Sequence, residues 1–297
     1  MKTITALVKR NVKLFFKDKG MFFTSLITPA ILLVLYATFL GNVFRDSLEM
    51  NLSETVKLPE KLINGLVGGQ LMSSILAVSC VTVAFCSNFL MVQDKATGSI
   101  KDLRMSPVRA SVLAASYYIS TLISTLIICF VATGICLAYV ASVGWYMNLS
   151  DVLLLLLDVV LLVLFGTALS SIINFFLSTQ GQISAVGTII SSGYGFICGA
   201  YMPISSFGEG LQKVISFLPG TYGTALVRNH AMQGALAQME KQGVPGQIVE
   251  SLKDALDCNL YFFGEQIRVG GMYLILGGTV AVLISVYILM NRRKKKT

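Results

Sequence analysis

Long apolar runs alternate with short polar stretches along most of the chain, and this alternation predicts membrane-spanning helices. A helix needs roughly 20 predominantly apolar residues to cross a bilayer, and six runs come close to that length. We predict spans at residues 21–43, 66–92, 112–140, 152–177, 183–200 and 268–290. The predicted fold class is therefore all-α: a polytopic membrane protein with six transmembrane helices, forming a single transmembrane domain over residues 1–297.

The first twenty residues follow a different pattern, with apolar side chains on one side of a helical wheel and basic ones on the other. The apolar stripe consists of Ile4, Leu7, Val8, Val12 and Phe15. Such a helix lies flat at the membrane surface, with its basic side toward anionic headgroups. We therefore predict an N-terminal interfacial amphipathic helix in contact with membrane lipids; a disordered basic tail is the alternative. The apolar run comes too late for a cleaved signal peptide.

A polar island at residues 93–109 separates the second and third runs and contains four basic residues. Basic residues in a short loop mark the cytoplasmic side of a membrane. Asp94 is expected to cap a short helix here. Ser106 and Pro107 are expected to end it, because a proline disfavours the α conformation at the residue before it.

Ile100 and Leu103 lie three residues apart and would form a small apolar edge on this short helix. A helix of this kind, fastened to two spans, can pass a push from a soluble partner into the membrane. An ordinary solvated loop is the other interpretation.

Composition and charge agree with a membrane protein. The chain is 55% hydrophobic and only 13% charged, about half the charged fraction of a soluble domain. The net charge of +8 is concentrated at the two ends and in the polar island, so it does not imply a nucleic-acid partner. Basic residues at both termini predict that both ends are cytoplasmic and that the number of spans is even.

The segment at residues 201–267 is too interrupted to cross the bilayer and too apolar at its start for an exposed loop. Prolines and glycines divide its first half into two short pieces, near residues 207–217 and 221–230. We predict that these pieces dip into the outer interface and return, as a re-entrant segment. Residues 229–265 would then form a small polar region outside the membrane.

Two features lie within the predicted spans. Asp158 interrupts an otherwise apolar run, and a carboxylate at that depth must face protein or water or be protonated. Arg268, at the outer end of the last span, is its predicted partner. Small residues on the fifth span recur every four positions and form a ridge for close helix contact, either within one subunit or between subunits. The ridge consists of Gly187, Ser191, Gly195 and Gly199.

Candidate enzyme chemistry is sparse. The single histidine, His230, is expected to play an interfacial structural role beside Arg228. The six cysteines form no evident disulfide framework and are expected to act as small apolar packing residues.

The chain resembles the permease subunit of type-2 ABC exporters over nearly its whole length. The resemblance is carried by the flat N-terminal helix and by two motifs, although Asp94 stands where that family more often has glutamate. The first motif is Asp94-Lys95-x-Thr97-Gly98-Ser99-Ile100 with Leu103 and Ser106-Pro107-Val108; the second is Gly199-x-x-Met202-Pro203 with Leu211, Ile215, Pro219-x-x-Tyr222 and Arg228.

The resemblance implies a permease half in the cell membrane that pairs with a second half, as a homodimer or heterodimer, and with a separate ABC ATPase subunit. The implied ATPase-coupling residues are Asp94, Thr97, Gly98, Ile100, Leu103, Ser106 and Pro107. The implied dimer or pathway residues are Gln70, Gly187, Ser191, Gly195 and Gly199. The implied outer gate consists of Met202, Pro203, Pro219 and Tyr222.

The energy source is expected to lie outside the chain. The sequence has no GxxxxGK[ST] phosphate-binding loop, so no cofactor is expected here, and ATP and Mg²⁺ would be bound by the partner ATPase. The expected function is export of an amphiphilic substrate such as a drug, an antimicrobial peptide or a lipid-linked molecule. An ion-coupled secondary transporter that uses Asp158 is the alternative.

Overall fold

The computed structural model describes residues 2–51, 58–105 and 108–293, and these residues are almost entirely helical. The N-terminal half begins with α1 (Lys2–Lys17) and α2 (Lys19–Leu35), which continues through a π-helical turn (Tyr36–Leu40) into α3 (Gly41–Asn51). It is completed by α4 (Glu60–Ala96), the short α5 (Ser99–Met105) and α6 (Ala110–Val143).

The C-terminal half contains α7 (Leu149–Phe176) and α8 (Gln180–Ile197), followed by a 3₁₀ turn (Ile204–Ser206) and α9 (Glu209–Ser216). Two further helices, α10 (Pro219–Lys241) and α11 (Gly246–Ala255), precede a two-stranded antiparallel hairpin, β1 (Leu260–Phe262) and β2 (Glu265–Ile267). The last element is α12 (Val269–Arg293).

The helix α4 is the centre of the fold. It contacts α2, α6, α7, α8 and α10, and its apolar stretch is completely buried inside the subunit. Small residues make this close packing possible, because Gly68 faces Val140 and Val143 of α6 and Gly69 faces Met232 of α10. The central helix therefore has protein on every side.

Five helices are long and apolar enough to cross a membrane within the residues described. They confirm a multi-pass helical protein, and they correspond to the first four predicted spans and the last one. The predicted fifth span corresponds to α8, whose 18 residues are rich in glycine, serine and glutamine. The count of six spans thus depends on α8 and stays a prediction.

Several predicted boundaries are wrong for a common reason: polar residues and glycines do not end a helix that is buried. The helix α4 continues to Ala96, so Asp94 lies in its last turn and does not cap the following helix. Likewise α10 continues without a break from Pro219 to Lys241 and crosses the predicted boundary at residue 229.

Candidate functional site

The amphipathic helix α1 is joined to the long apolar helices through one carboxylate. Arg10 donates hydrogen bonds to both oxygens of Asp94, at 2.9 and 3.1 Å, and the Tyr117 hydroxyl donates to the same carboxylate at 2.5 Å. The Asp94 hydrogen bond raises the pKa of Arg10, which therefore stays charged. One acidic side chain in the last turn of α4 consequently connects α1, α4 and α6.

The next residue makes a second junction. The Lys95 ammonium donates to the carbonyls of Asn174, Phe175 and Leu177, at 2.8, 2.9 and 2.8 Å. These carbonyls close the end of α7, where helix carbonyls have no partners within the helix and the helix dipole favours a positive charge. Lys95 therefore fixes the end of α4 against the end of α7.

The short helix α5 follows directly after these junctions. The turn between α4 and α5 is made by Gly98, whose φ of +84° is a left-handed conformation that glycine adopts without strain. The Thr97 hydroxyl bonds back to the carbonyl of Gln93 at 2.9 Å. Ser106 and Pro107, predicted to end this helix, lie outside the described residues.

The apolar edge of α5 faces the permease itself. Ile100 and Leu103 are half-buried and pack against a cluster of Leu7, Met91, Leu113 and Tyr117. The opposite side of α5 presents three exposed side chains, Lys101, Asp102 and Met105, and Met105 is 79% exposed. Ile100 and Leu103 therefore hold α5 in place, and its other side is exposed.

A large open groove of about 970 Å³ lies between α2, α4 and α8. Its walls are mainly apolar, and hydroxyl groups from α2 and α8 line part of it. The lining includes Thr24, Ile27, Thr28, Ile31, Leu32, Leu35, Leu40, Phe89, Gly187, Thr188, Ser191, Ser192, Phe196 and Tyr201. An apolar surface of this size on a helical membrane protein accommodates lipid, an amphiphile or another helix.

The structure divides the predicted small-residue ridge between two environments. Gly187 and Ser191 line the groove. A Cβ at Gly195 would overlap the ring of Tyr201, and Gly199 is turned inward with a φ of +72°. Gln70, predicted to belong with the ridge, is only 2% exposed and does not line the groove. Only the first half of the ridge is therefore available to a partner or a substrate.

A buried arginine, Arg228, joins the segments that contain the predicted gate residues. Arg228 donates to the carbonyl of Gly199 at 2.8 Å and is 3.4 Å from Asp257. The backbone N–H of Ile204 donates to the same Asp257 carboxylate at 2.8 Å. Burial raises the pKa of Asp257, and the charge of Arg228 opposes that shift. The two side chains together fasten the chain after α8 to α10 and to the segment that follows α11.

The four predicted gate residues lie just before the 3₁₀ turn and in the first turn of α10. Met202 and Pro203 are half-buried just before the 3₁₀ turn. Pro219 is the first residue of α10, a position that suits proline because its missing N–H has no helical partner there. The Tyr222 hydroxyl donates to the carbonyl of Ser216 at 2.6 Å, which ties α10 to α9.

The predicted partner of Asp158 is wrong. The Asp158 side chain is fully buried, and its two oxygens contact His230 Nδ1 at 2.6 Å and the Tyr273 hydroxyl at 2.5 Å. Arg268 is exposed and lies between β2 and α12. The interfacial role predicted for His230 is also wrong, because the histidine lies in the core and joins α10 to α7 and, through the same carboxylate, to α12.

The sequence pattern does not identify Arg10, Tyr117 and Tyr273 as partners of the Asp94 and Asp158 carboxylates. One signal was available for α1: Asn11, next to Arg10, interrupts the apolar stripe, and the buried face consists of Leu7, Asn11 and Phe15. A polar residue on the buried face of an amphipathic helix indicates a polar contact there. No comparable signal marks Tyr117 or Tyr273, which resemble ordinary aromatic residues of a span.

These observations define a multi-pass helical membrane protein with an amphipathic N-terminal helix, a short helix between two spans and an open apolar groove. A family model described as ABC-2 type transporter matches residues 2–231. The chain belongs to that family and is a type-2 ABC permease subunit. Comparisons with curated proteins and with solved structures gave no match.

Proposed function

We propose that this chain is one membrane half of an ATP-driven exporter that moves an amphiphilic substrate out of the cell. In this proposal both termini are cytoplasmic, and a second permease half covers the groove between α2, α4 and α8. A separate ABC ATPase binds ATP and Mg²⁺ and supplies the energy. Substrates of suitable chemistry are drugs, antimicrobial peptides and lipid-linked molecules.

The observation that carries the proposal is the groove. Its walls come from α2 and α8, while Cys86, Phe89 and Gln93 of the central helix α4 form its floor. A second copy placed over this face would enclose a passage with apolar walls and scattered hydroxyls. That lining suits a molecule with an apolar body and a polar end.

The docking surface proposed for the ATPase is the exposed side of α5. Movement of α5 would reach α1 and α6 through the Arg10–Asp94–Tyr117 contacts, which begin five residues before the helix. It would reach α7 through the Lys95 contacts with the last carbonyls of that helix. Movement of this short helix would thus be transmitted through the end of α4 to α1, α6 and α7.

The test is co-purification of the ATPase with the tagged permease. Met105→Asp combined with Lys101→Glu changes exposed side chains of α5 and should leave the fold intact, and ATPase recovery should fall at least about tenfold, the effect of losing about 1.4 kcal/mol of binding free energy. Lys13→Glu, on the exposed side of α1, is the matched control and should retain the ATPase. Full ATPase recovery with the α5 variant would rule out this docking surface.

A second candidate function is proton-coupled transport, and the buried contact between Asp158 and His230 is the observation that favours it. Two titratable side chains in contact inside a membrane protein are a common element of proton pathways. This candidate requires that reconstituted transport follow an imposed proton gradient in the absence of any ATPase. Transport that requires ATP and is indifferent to the gradient would eliminate it.

A further inference from the structure

Four large apolar side chains form an exposed patch on α9 and on the tip of the hairpin. Leu211, Val214 and Phe217 are spaced three residues apart and therefore lie along one side of α9. Phe263 is at the hairpin tip, and its ring centroid is 5.9 Å from that of Phe217. The four side chains are 48–67% exposed. We call these four residues the tip patch.

The hairpin carries an aromatic residue where the backbone disfavours one. Phe262 pairs with Glu265, so Phe263 and Gly264 form a two-residue turn, and their φ values are +51° and +90°. Turns with two positive φ values favour Asn-Gly or Asp-Gly, because a bulky side chain is strained in that conformation. An exposed phenylalanine in a strained position indicates a functional contact outside the subunit.

The depth of the tip patch follows from the packing of α10. A Cβ at Gly223 would overlap Leu162, which lies midway along the apolar helix α7. Gly234, about three turns further along α10, contacts Tyr146 in the connection between α6 and α7. Phe217 precedes α10 and therefore lies on the opposite side of Gly223 from that connection. The patch is thus at the depth of the middle of a long apolar helix.

The two sides of α9 differ in polarity. Gln212 and Ser216 face a cavity of about 230 Å³ that Asp254 also lines. The charged residues of α9, Glu209 and Lys213, also lie outside the arc of the three apolar side chains. A helix divided in this way lies at the boundary between a polar region and acyl chains. The cavity supplies the polar side of α9, so the tip patch calls for an apolar environment.

The hairpin packs beside the last apolar helix, which is itself exposed. A Cβ at Gly271 of α12 would touch Ile267 of β2. Most of the apolar stretch of α12 is not buried within the subunit, and Leu274 is 79% exposed. In a multi-pass membrane protein such a surface meets acyl chains. Of the described residues that line the groove, none belongs to α12 or the hairpin, so the hairpin is away from the face proposed for a second permease half.

We propose that the tip patch lies among the acyl chains of the adjacent lipid leaflet and anchors the hairpin and α9 in the bilayer. The partner is the lipid, which supplies the apolar contact that compensates for the strained turn at Phe263. This inference goes beyond the proposed function, because it requires a bilayer but neither a substrate nor an ATPase. Since α9 lies between Pro203 and Pro219, the lipid would act directly on the segment that contains the predicted gate residues.

The experiment is fluorescence quenching of the full chain in liposomes, without ATPase or nucleotide. The chain has one tryptophan, Trp145, so Trp145→Phe provides a silent background. Phe263→Trp and, in a second variant, Phe217→Trp each add one reporter to that background. Both reporters should lose most of their fluorescence to lipids brominated on the acyl chain and little to aqueous acrylamide.

Two further reporters calibrate the quenching. Leu274→Trp, on the exposed side of α12, should respond to brominated lipid as the tip patch does. Gln247→Trp, on the exposed side of α11, should respond to acrylamide alone.

Phe263→Asn separates the lipid contact from the shape of the turn. Asparagine suits the turn better than phenylalanine, so a residue with only a turn-forming role would be replaced without loss. If the ring is held by lipid, hydrogen exchange of residues 260–267 in liposomes should instead become roughly tenfold faster, because the burial of one aromatic side chain is lost.

Three results would overturn the proposal. Reporters quenched by acrylamide as strongly as Gln247→Trp would place the tip patch in water, and reporters quenched by neither agent would place it under a second permease half or another protein. Unchanged or slower exchange in Phe263→Asn would show that the ring has no lipid contact. Loss of the α5 docking surface would leave all the expected results unchanged, and failure here would leave that surface intact.

Discussion

Arg10 on the N-terminal helix holds Asp94, 84 residues away, through two hydrogen bonds of 2.9 and 3.1 Å. The Asp94 side chain is 8% exposed and that of Arg10 is 32% exposed, so the pair is closed to water mainly on the carboxylate side. This contact joins the amphipathic N-terminal helix to the long apolar helices of the protein.

Arg10→Ala should loosen α1 from the spans. It leaves a nearly buried carboxylate with Tyr117 as its remaining partner, and losing hydrogen bonds to a charged group costs about 1.5–3 kcal/mol. The expected result is a lower thermal midpoint and faster proteolysis of residues 2–17. Arg10→Lys, which keeps the charge but not the two-pronged geometry, should have an intermediate effect; equal stability of both variants and the wild type would contradict the role of this pair.

Lys95→Met should release the end of α7, and the connection that follows it, from the end of α4. The change removes three charge-assisted hydrogen bonds to the last carbonyls of α7, with an expected cost of about 1.5–3 kcal/mol. Hydrogen exchange of residues 175–180 should become faster. Lys101→Met, on the exposed side of α5, is the control and should leave that exchange rate unchanged; the same rate in both variants would argue against the junction.

His230→Ala should destabilise the protein more than Asp158→Asn. The first variant leaves a buried carboxylate with only Tyr273, and breaking a buried pair by removing one partner costs about 3–5 kcal/mol. The second leaves a neutral amide that can still accept from Tyr273. Thermal unfolding in detergent measures the difference.

Arg268→Ala supplies the control for this pair, because the side chain is exposed and away from the carboxylate. Its effect on stability should stay within about 0.5 kcal/mol, as for most surface substitutions. A loss comparable to that of His230→Ala would restore Arg268 as the partner of Asp158.

Ser191→Leu should abolish transport without unfolding the protein. Ser191 lines the groove, and a larger side chain there would fill the space proposed for a substrate or a second permease half. The thermal midpoint should stay near that of the wild type while uptake into inverted vesicles falls. Gly193→Leu, on the same helix but outside the groove and with open space around its Cα, is the control and should retain transport; equal activity of both variants would remove the groove from the mechanism.

The sequence predicts the membrane helices well, because a long apolar run has few alternatives to a buried or lipid-facing helix. The sequence does not predict which side chains pair with each other across the fold. Asp158 and His230 are 72 residues apart, and nothing local to either residue identifies the other. The choice of His230 over Arg268 is made by the packing of α10 between α4, α7 and α12, which no pattern along one element reports.

The prediction for α10 fails for a related reason. The sequence pattern treats the glycines of this segment as helix breakers, yet Gly220 and Gly223 allow close packing: a Cβ at Gly220 would meet the Tyr194 hydroxyl, and one at Gly223 would overlap Leu162. Glycine lowers helix propensity in isolation, and tertiary contacts readily override that preference. The same residue type therefore marks a turn at Gly98 and a tight helix contact at Gly223.

The complete enclosure of α4 has a consequence for how the protein is made. This helix is synthesised before α6, α7 and α10, the elements that later surround it. Until they arrive, Gln70, Ser73, Ser74 and Asn88 must either meet acyl chains or be sheltered by the insertion machinery. We therefore expect α4 to stay next to the translocon until the later helices are inserted. A chain truncated after α5 should be degraded rather than integrated.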